Sequence, residues 1–150
     1  MTNIAVNRFK CVFQAKSINE GFARSVMAAF AGQLDPKVGD IADIKTAVSE
    51  AVTNCIVHAY KDSELPPERR VIELQGAYFG DGRLVMIIKD HGKGIENIKQ
   101  AMEPLFTTDP EGERSGMGFT VMETFTDKLQ VKSKPGRGTT VKLVKNIAIT

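Results

Sequence analysis

The unbroken apolar run at residues 84–88 constrains the fold of this chain more than any other feature of its sequence. A strand with one face in water alternates apolar and polar side chains, and this run does not alternate. It therefore predicts a central strand covered on both faces. The run follows Gly80-Asp81-Gly82, which predicts a hairpin between strands at 71–79 and 83–89.

Two segments have the apolar periodicity of helices. The first begins with a predicted capping box, Ser17 with Glu20, and ends at Asp35-Pro36. The second runs from about residue 40 to residue 60. The predicted apolar stripes are Phe22, Val26, Ala29, Phe30 and Leu34 in the first helix, and Ile41, Ile44, Val48, Ala51, Val52, Cys55, Ile56 and Ala59 in the second.

The remaining segments complete a single domain over residues 1–150. Alternation predicts a first strand at 4–13, and a turn at 135–138 predicts a closing hairpin between 129–133 and 139–145. Short helices are expected at 95–102 and 116–125, on either side of a mobile loop at 103–115. The expected fold is an α/β (α+β) two-layer sandwich, with a mixed, mostly antiparallel sheet and helices on one face.

Composition limits the classes of function. The net charge of +2 gives no support for a direct nucleic-acid or acidic-membrane partner. The N-terminus has no signal-peptide pattern and no stretch is long enough to cross a membrane, so the expected location is the cytoplasm. Cys11 and Cys55 lack the spacing of zinc ligands and are expected to be buried free thiols.

Glu50 and Asn54 lie one turn apart on the second predicted helix and project from the same side of it. A carboxamide oxygen is a suitable ligand for Mg²⁺, and a carboxylate beside it can orient or deprotonate a hydroxyl that attacks a phosphate. An ordinary solvated pair of polar residues explains the same spacing, so this motif does not decide the function by itself.

A second motif, Asp90-His91-Gly92-Lys93-Gly94, directly follows the predicted buried strand. An ionised carboxylate only accepts hydrogen bonds, so Asp90 is suited to the exocyclic amine of adenine, and the two glycines let the backbone approach a base or sugar. A plain turn after a strand is the alternative. The motif is not the Rossmann pattern, because no third glycine opens a helix at the required position.

A third motif, Arg114-Ser115-Gly116-Met117-Gly118, ends the predicted loop and begins a helix. Free N–H groups and the positive end of the helix dipole make such a start suitable for phosphate, although a glycine-rich helix start without a ligand is equally compatible. The chain has neither a P-loop nor the motifs of the eukaryotic protein kinases.

In their order along the chain, these motifs resemble the N, G1, G2 and G3 boxes of the GHKL ATPases, the superfamily of gyrase, Hsp90, histidine kinases and MutL. The resemblance covers nearly the whole chain and implies the Bergerat-type ATP-binding fold. It is closer to the small anti-sigma-factor kinases of Gram-positive bacteria. The stretches that carry it are LDP, IKTAVSEAVTNCIVHAY, IKDHGKGIENI, PLFTT and ERSGMGFTVMETFTDKLQVKSKPGRGTTV.

That resemblance implies a role for each matching residue. Asn54 would be the Mg²⁺ ligand and Glu50 the general base, while Asp90, Gly92 and Gly94 would form the pocket for the adenine of ATP or ADP. The other nucleotide contacts would be Thr108, Arg114, Ser115, Gly116, Met117, Gly118 and Thr140.

The resemblance also implies the activity and the partners. The chain would be an ATP-dependent serine protein kinase that holds a sigma factor, sporulation sigma-F or a general-stress factor, and phosphorylates an anti-anti-sigma protein. Family members form homodimers. An ATP-gated sigma-binding module with little catalysis is the main alternative. A detached histidine-kinase domain or a gyrase-like engine is disfavoured, because the chain lacks a phosphoacceptor helix pair or a transducer domain.

Arg24 is expected to be exposed on the first helix, beside buried Phe22 and Val26, and to belong to a partner-facing surface. An ordinary solvated arginine is the alternative.

Overall fold

The computed structural model describes residues 3–103 and 118–148. The strands are β1 (Asn7–Gln14), β2 (Val71–Tyr78), β3 (Arg83–Asp90), β4 (Lys128–Lys134) and β5 (Gly138–Asn146), and the helices are α1 (Ile18–Ala31), α2 (Val38–Asn54), α3 (Ile98–Ala101) and α4 (Gly118–Phe125). The sheet order is β1-β2-β3-β5-β4, which confirms the central position of β3. All four pairings are antiparallel, so the sheet described here is not mixed.

The core lies between one face of the sheet and the helices, as a two-layer sandwich requires. Alternate residues of β3, from Leu84 to Ile88, are fully buried against α2, whereas Val85 and Ile87 are only half-buried on the outer face. The expectation that β3 is covered on both faces is therefore wrong. The apolar side chains on its outer side reflect the preference of β-branched residues for strands rather than a second layer.

The buried face of α1 differs from its predicted stripe. Its buried residues are Ala23, Met27, Phe30 and Ala31, while Ala29 is exposed and Phe22 remains 49% exposed. Phe22 packs edge-on against Phe13 at the rim of the core, with ring centroids 5.8 Å apart. Phe30 is the one member of the predicted stripe among these four, and the buried face includes Ala23 and Ala31, two alanines that the stripe left out.

The start of α1 also differs from its prediction. The side chain of Ser17 makes no capping hydrogen bond, and only its carbonyl accepts from the Glu20 N–H. The predicted capping box is therefore not formed. The predicted stop is confirmed, because a short 3₁₀ turn follows α1 and ends at Asp35, which has a left-handed φ of 51°.

The second predicted helix is confirmed with a change in its last turn. From Cys55 to Ala59 its hydrogen bonding widens to that of a π-helix. Single π-helical turns within helices are frequent at functional sites. Tyr60 fixes the end of this turn: its hydroxyl donates to the Val71 carbonyl (2.6 Å) and accepts from the His91 N–H (2.8 Å). The end of the helix is thereby joined to β2 and to the residue that follows β3.

The two predicted hairpins are confirmed, and they join β2 to β3 and β4 to β5. The predicted helix at 95–102 is reduced to the four residues of α3, which begin after a side-chain cap from Asn97 to the Gln100 N–H. Most of the predicted loop at 103–115 lies outside the described residues. Within the ranges that are described, no helix is both long and apolar enough to span a bilayer.

Candidate functional site

Asp90, at the end of β3, is the most buried charged residue of the site, with 4% of its surface exposed. Its Oδ1 accepts hydrogen bonds from the N–H groups of Gly92 (2.9 Å) and Thr139 (3.2 Å). Its Oδ2 accepts from the thiol of Cys55 (3.5 Å). The side chain is therefore held in one orientation by the protein itself.

Burial dominates the electrostatics of this pair. Desolvation raises the pKa of Asp90, and the hydrogen bonds from Gly92, Cys55 and Thr139 oppose part of that rise. Desolvation, followed by the charge of Asp90, raises the pKa of Cys55 well above its usual value. The Cys55 thiol is consequently protonated at neutral pH and acts as a donor.

The loop after Asp90 is clamped from two sides, and its glycines make this possible. A Cβ at Gly92 would collide with the carbonyl of Ala59 in the π-helical turn, and a Cβ at Gly94 would collide with the carbonyl of Lys134. Gly94 also has a left-handed φ of 76°. The Lys93 N–H donates to the Ala59 carbonyl at 2.9 Å. In this structure the two glycines allow close backbone contacts within the protein. The sequence analysis predicted only that they allow the backbone to approach a ligand.

The other end of the site is formed by the last turn of α2 and the start of α4. Glu50 and Asn54 are both half-buried, one turn apart, as predicted. Gly118, the first residue of α4, lies directly against Asn54: a Cβ there would be 3.0 Å from Asn54 Oδ1. Asn54 of the first motif and Gly118 of the third are therefore brought together, although they lie 64 positions apart along the chain.

Cys55 joins the two ends, because it follows Asn54 in sequence and contacts Asp90 in space. Sequence reasoning placed this thiol in the core but missed its contact with the carboxylate. The available signal was that Cys55, which can donate a hydrogen bond, follows Asn54 on the buried side of the helix.

Thr139, rather than Thr140, lies beside Asp90. Thr139 is buried, its N–H donates to Asp90, and its hydroxyl shares a hydrogen bond of 2.7 Å with the hydroxyl of Ser133. Thr140 pairs with Lys89 and is the next residue on β5, so its side chain lies on the outer face of the sheet. Thr140 is expected to be a supporting contact of the base pocket, but its side chain lies on the face away from Asp90, and Thr139 is the threonine beside the carboxylate.

Several other predicted contacts cannot be located in the structure: Thr108, Arg114, Ser115, Gly116 and Met117 lie outside the described residues. The cysteines are free, with Cys55 buried and Cys11 half-buried. The described ranges hold no cluster of three or more His, Cys, Asp or Glu side chains arranged for a metal ion.

Arg24 is partly exposed, not freely solvated. It pairs with Glu20 (3.2 Å), donates to Ser49 on α2 (3.4 Å), and has a side chain 43% exposed. Its neighbour Phe22 is not buried, in contrast to the prediction.

The sandwich, with a fixed carboxylate at one end and a polar helix end at the other, has the architecture of a nucleotide-binding domain. The chain belongs to the histidine kinase-like ATPase family, whose model, described as a histidine kinase-like ATPase domain, matches residues 13–145. Membership of this ATPase family implies that the chain binds nucleotide.

Within that family, the chain is similar to proteins named anti-sigma F factor. It is 54% identical over 141 residues to that of Caldanaerobacter subterraneus, a match covering 94% of each chain. It is 53% identical over 141 residues to that of Thermoanaerobacter sp., again covering 94% of each chain. The factor from Clostridium kluyveri is 52% identical over 133 residues, 89% of each chain.

Solved structures show the same fold at low sequence identity. The RsbU and RsbW domains of a Mycobacterium tuberculosis protein superpose with a TM-score of 0.69 and 19% identity, covering 95% of this chain and 33% of that one. A blue-light activated histidine kinase of Erythrobacter litoralis gives a TM-score of 0.59 and 22% identity, covering 85% of this chain and 40% of that one.

Proposed function

We propose that this chain is an anti-sigma factor and an ATP-dependent serine protein kinase. It sequesters a sigma factor, sporulation sigma-F, and phosphorylates a serine of an anti-anti-sigma protein. The names of relatives that are about half identical over nearly the whole chain support the sigma-binding role. The ATPase family and the polar residues at the end of α2 support the kinase role.

The observation that carries the proposal is the convergence of three separate motifs at the end of α2. Asp90 meets this end through Cys55, and Gly118 meets it through Asn54. A ligand that spans this site would need a hydrogen-bond donor to meet Asp90. Near Asn54 and the start of α4 it would need an anionic group, which can bind a metal ion and accept hydrogen bonds from helix N–H groups. Adenine with a phosphate chain satisfies both requirements.

Asp90 is suited to select adenine. The base carries an amine where guanine carries a carbonyl, and an ionised carboxylate can only accept. Among the described residues, two N–H groups donate to Oδ1 and only the Cys55 thiol donates to Oδ2, which can accept one more donor. In this proposal Oδ2 accepts the adenine amine, and Thr139 and Cys55 keep the carboxylate in place.

At the phosphate end the residues fit a magnesium nucleotide. Asn54 offers a carboxamide oxygen, and no described residue hydrogen-bonds its side chain. Gly118 lies close to that oxygen, and a Cβ in its place would crowd the carboxamide at 3.0 Å. Bound Mg²⁺ would neutralise part of the phosphate charge. In this proposal Glu50, one turn away, accepts the proton of an attacking serine hydroxyl.

The start of α4 contributes to the same end. Its N-terminal N–H groups and dipole favour an anion near Gly118. Arg114, Ser115, Gly116 and Met117 immediately precede this helix in sequence, and Thr108 lies further back. We include them in the proposal as phosphate contacts on the resemblance alone.

Other parts of the proposal depend on the relatives or on position in the fold. We place the protein in the cytoplasm as a homodimer. β1 is an edge strand, and exposed apolar residues such as Val12 and Ile18 lie on β1 and α1, where a second copy could pack.

The experiment that tests the proposal combines the purified chain, radiolabelled ATP, Mg²⁺ and a candidate anti-anti-sigma protein. We expect transfer of label to a serine of that protein, and retention of sigma-F on the immobilised chain in the presence of ATP. A substrate whose acceptor serine is changed to alanine is the control. Label that persists on that control, or no transfer at all, contradicts the kinase role.

The names of the relatives refer to sigma factors and not to phosphorylation, which favours a second candidate: a nucleotide-gated sigma-binding module with little catalysis. In that case sigma-F is retained but no label is transferred. If the chain retains a general-stress sigma factor in preference to sigma-F, the proposed sigma-factor partner is wrong, but the proposed kinase activity is unaffected.

A further inference from the structure

The two threonines at the start of β5 separate two surfaces of the sheet. Thr139 belongs to the inner site, whereas Thr140 lies on the outer face, paired with Lys89 of β3 and with Lys132 of β4. Directly paired residues on neighbouring strands have Cβ atoms about 4.5–5.5 Å apart. Both lysines therefore flank the hydroxyl of Thr140, one from each side.

The positive charge continues over this outer face. Lys134 lies two residues beyond Lys132 on the same side of β4, Lys142 lies two residues beyond Thr140 on β5, and Arg137 lies in the turn between these strands. The outer positions of β3, β4 and β5 that the structure describes include no carboxylate; they are Arg83, Val85, Ile87, Lys89, Lys128, Gln130, Lys132, Lys134, Thr140, Lys142, Val144 and Asn146.

Little in the described chain offsets this charge. The nearest outer-face carboxylate is Glu73 of β2, which lies opposite Lys89 and pairs with Lys10 at 3.5 Å. Lys132, Lys134 and Arg137 form no ion pair with any residue of the described ranges. Positive charges clustered on one face of a sheet repel one another even where no two of them are directly paired. A bound anion would remove a cost that the fold otherwise carries.

A cavity of about 190 Å³ opens among these side chains, lined by Lys89, Lys132, Lys134, Arg137 and Thr140, together with Asp90, Ser133, Gly138 and Thr139. The carboxylate of Asp90 is turned to the inner face, where Gly92, Thr139 and Cys55 hold its oxygens. Pockets for drug-sized ligands measure about 300–1,000 Å³. The outer cavity is suited to a smaller ion.

We infer that the outer cavity is a binding site for a small anion that carries two or more linked phosphate groups. Linked phosphates place several negative charges within a short length, so one ligand can meet lysines on two strands at once. The Thr140 hydroxyl donates to a phosphate oxygen between Lys89 and Lys132. Lys89, Lys132, Lys134 and Thr140 lie on the opposite face of the sheet from the Asp90 carboxylate, and the inference does not depend on the proposed function.

The test uses pyrophosphate as the probe, titrated into the full chain at constant ionic strength and followed by the backbone amide shifts in NMR spectra. The titration is made with and without saturating ADP. The variant Lys89→Gln/Lys132→Gln removes two charges from the cavity. The control Lys16→Gln/Lys45→Gln removes two charges from exposed positions elsewhere. Thermal melts confirm that both variants are folded.

We expect saturable shifts at residues 131–134 and 140–142 that persist with ADP present. The affinity should fall about tenfold or more in the cavity variant and by about twofold or less in the control, since charge-assisted contacts are lost only in the former. Shifts that rise without saturation, that disappear with ADP, or that weaken equally in both variants would overturn the inference. Tighter binding of a single-stranded oligonucleotide than of pyrophosphate to these residues would also overturn it, in favour of a nucleic-acid surface.

Discussion

The two ends of the candidate nucleotide site differ in how completely the protein itself determines their geometry. At the Asp90 end, both carboxylate oxygens already accept hydrogen bonds and the following loop is clamped by backbone contacts. At the Asn54 end, no described residue hydrogen-bonds the carboxamide, and Gly118 only approaches it closely, so that a Cβ there would lie 3.0 Å from Asn54 Oδ1. In the proposed function, the Asp90 end would therefore be preorganised to recognise a base, whereas the Asn54 end would be completed by the bound ligand.

This difference predicts that substitutions at the Asn54 end separate chemistry from binding. Glu50→Gln should lower phosphotransfer about 10²–10⁴-fold while leaving Mg-ATP affinity and sigma-factor retention nearly unchanged, because only the proton acceptor is lost. Single-turnover transfer and equilibrium binding measure the two effects. Asn54→Ala is the matched comparison and should weaken Mg-ATP binding itself. Normal turnover in Glu50→Gln would contradict the general-base role.

At the Asp90 end, the clamped loop should be intolerant of added volume. Gly92→Ala forces a Cβ against the Ala59 carbonyl, and we expect about 1–3 kcal/mol of destabilisation in urea unfolding, with weaker ADP binding. Gly80→Ala is the control, since a Cβ there meets nothing within 4 Å. Equal, small changes in the two variants would show that the loop is not clamped.

Cys55 tests whether the thiol positions the carboxylate. Cys55→Val keeps a similar volume but removes the donor to Asp90 Oδ2, so ADP affinity should fall by about 0.5–1.5 kcal/mol. Cys55→Ser retains a donor and should lose less. Calorimetric titration with ADP measures both variants. If Cys55→Ser loses as much ADP affinity as Cys55→Val, the effect of Cys55 is due to packing and not to its hydrogen bond.

The smallest expected effect is on the pH dependence of stability. Burial raises the pKa of Asp90 above its usual 3.8, so the native state holds this proton at a pH where the unfolded chain has released it. The contribution of Asp90 to the free energy of unfolding is therefore most favourable below pH 3.8, and it is lost as the pH rises through the raised pKa of the folded state. Asp90→Asn removes this decline. Urea midpoints of the two proteins, measured as a function of pH, should diverge over that window in favour of the variant, and parallel curves would contradict the raised pKa.

The sequence supported the fold further than it supported the site. Hairpin turns, helical periods and the position of β3 are local signals, and the structure confirms them. The unexpected face of α1 and the half-exposed outer side of β3 depend on which elements pack against them, and no local pattern contains that information. At the candidate site, the sequence singled out Asp90 and Thr140, whereas the structure shows Thr139 and Cys55 in contact with Asp90. Both differences concern the direction of side chains, which strand register and the π-helical turn determine.

The most direct test of the preorganised base end is the ratio of ADP to GDP affinity in the wild type and in Asp90→Asn, measured by calorimetric titration. A fixed carboxylate accepts the adenine amine and is left facing the carbonyl of guanine, so the wild type should prefer ADP by about tenfold or more. In Asp90→Asn a carboxamide N–H can donate to that carbonyl, and the preference should narrow or reverse. Equal affinities of the wild type for ADP and GDP would contradict the account.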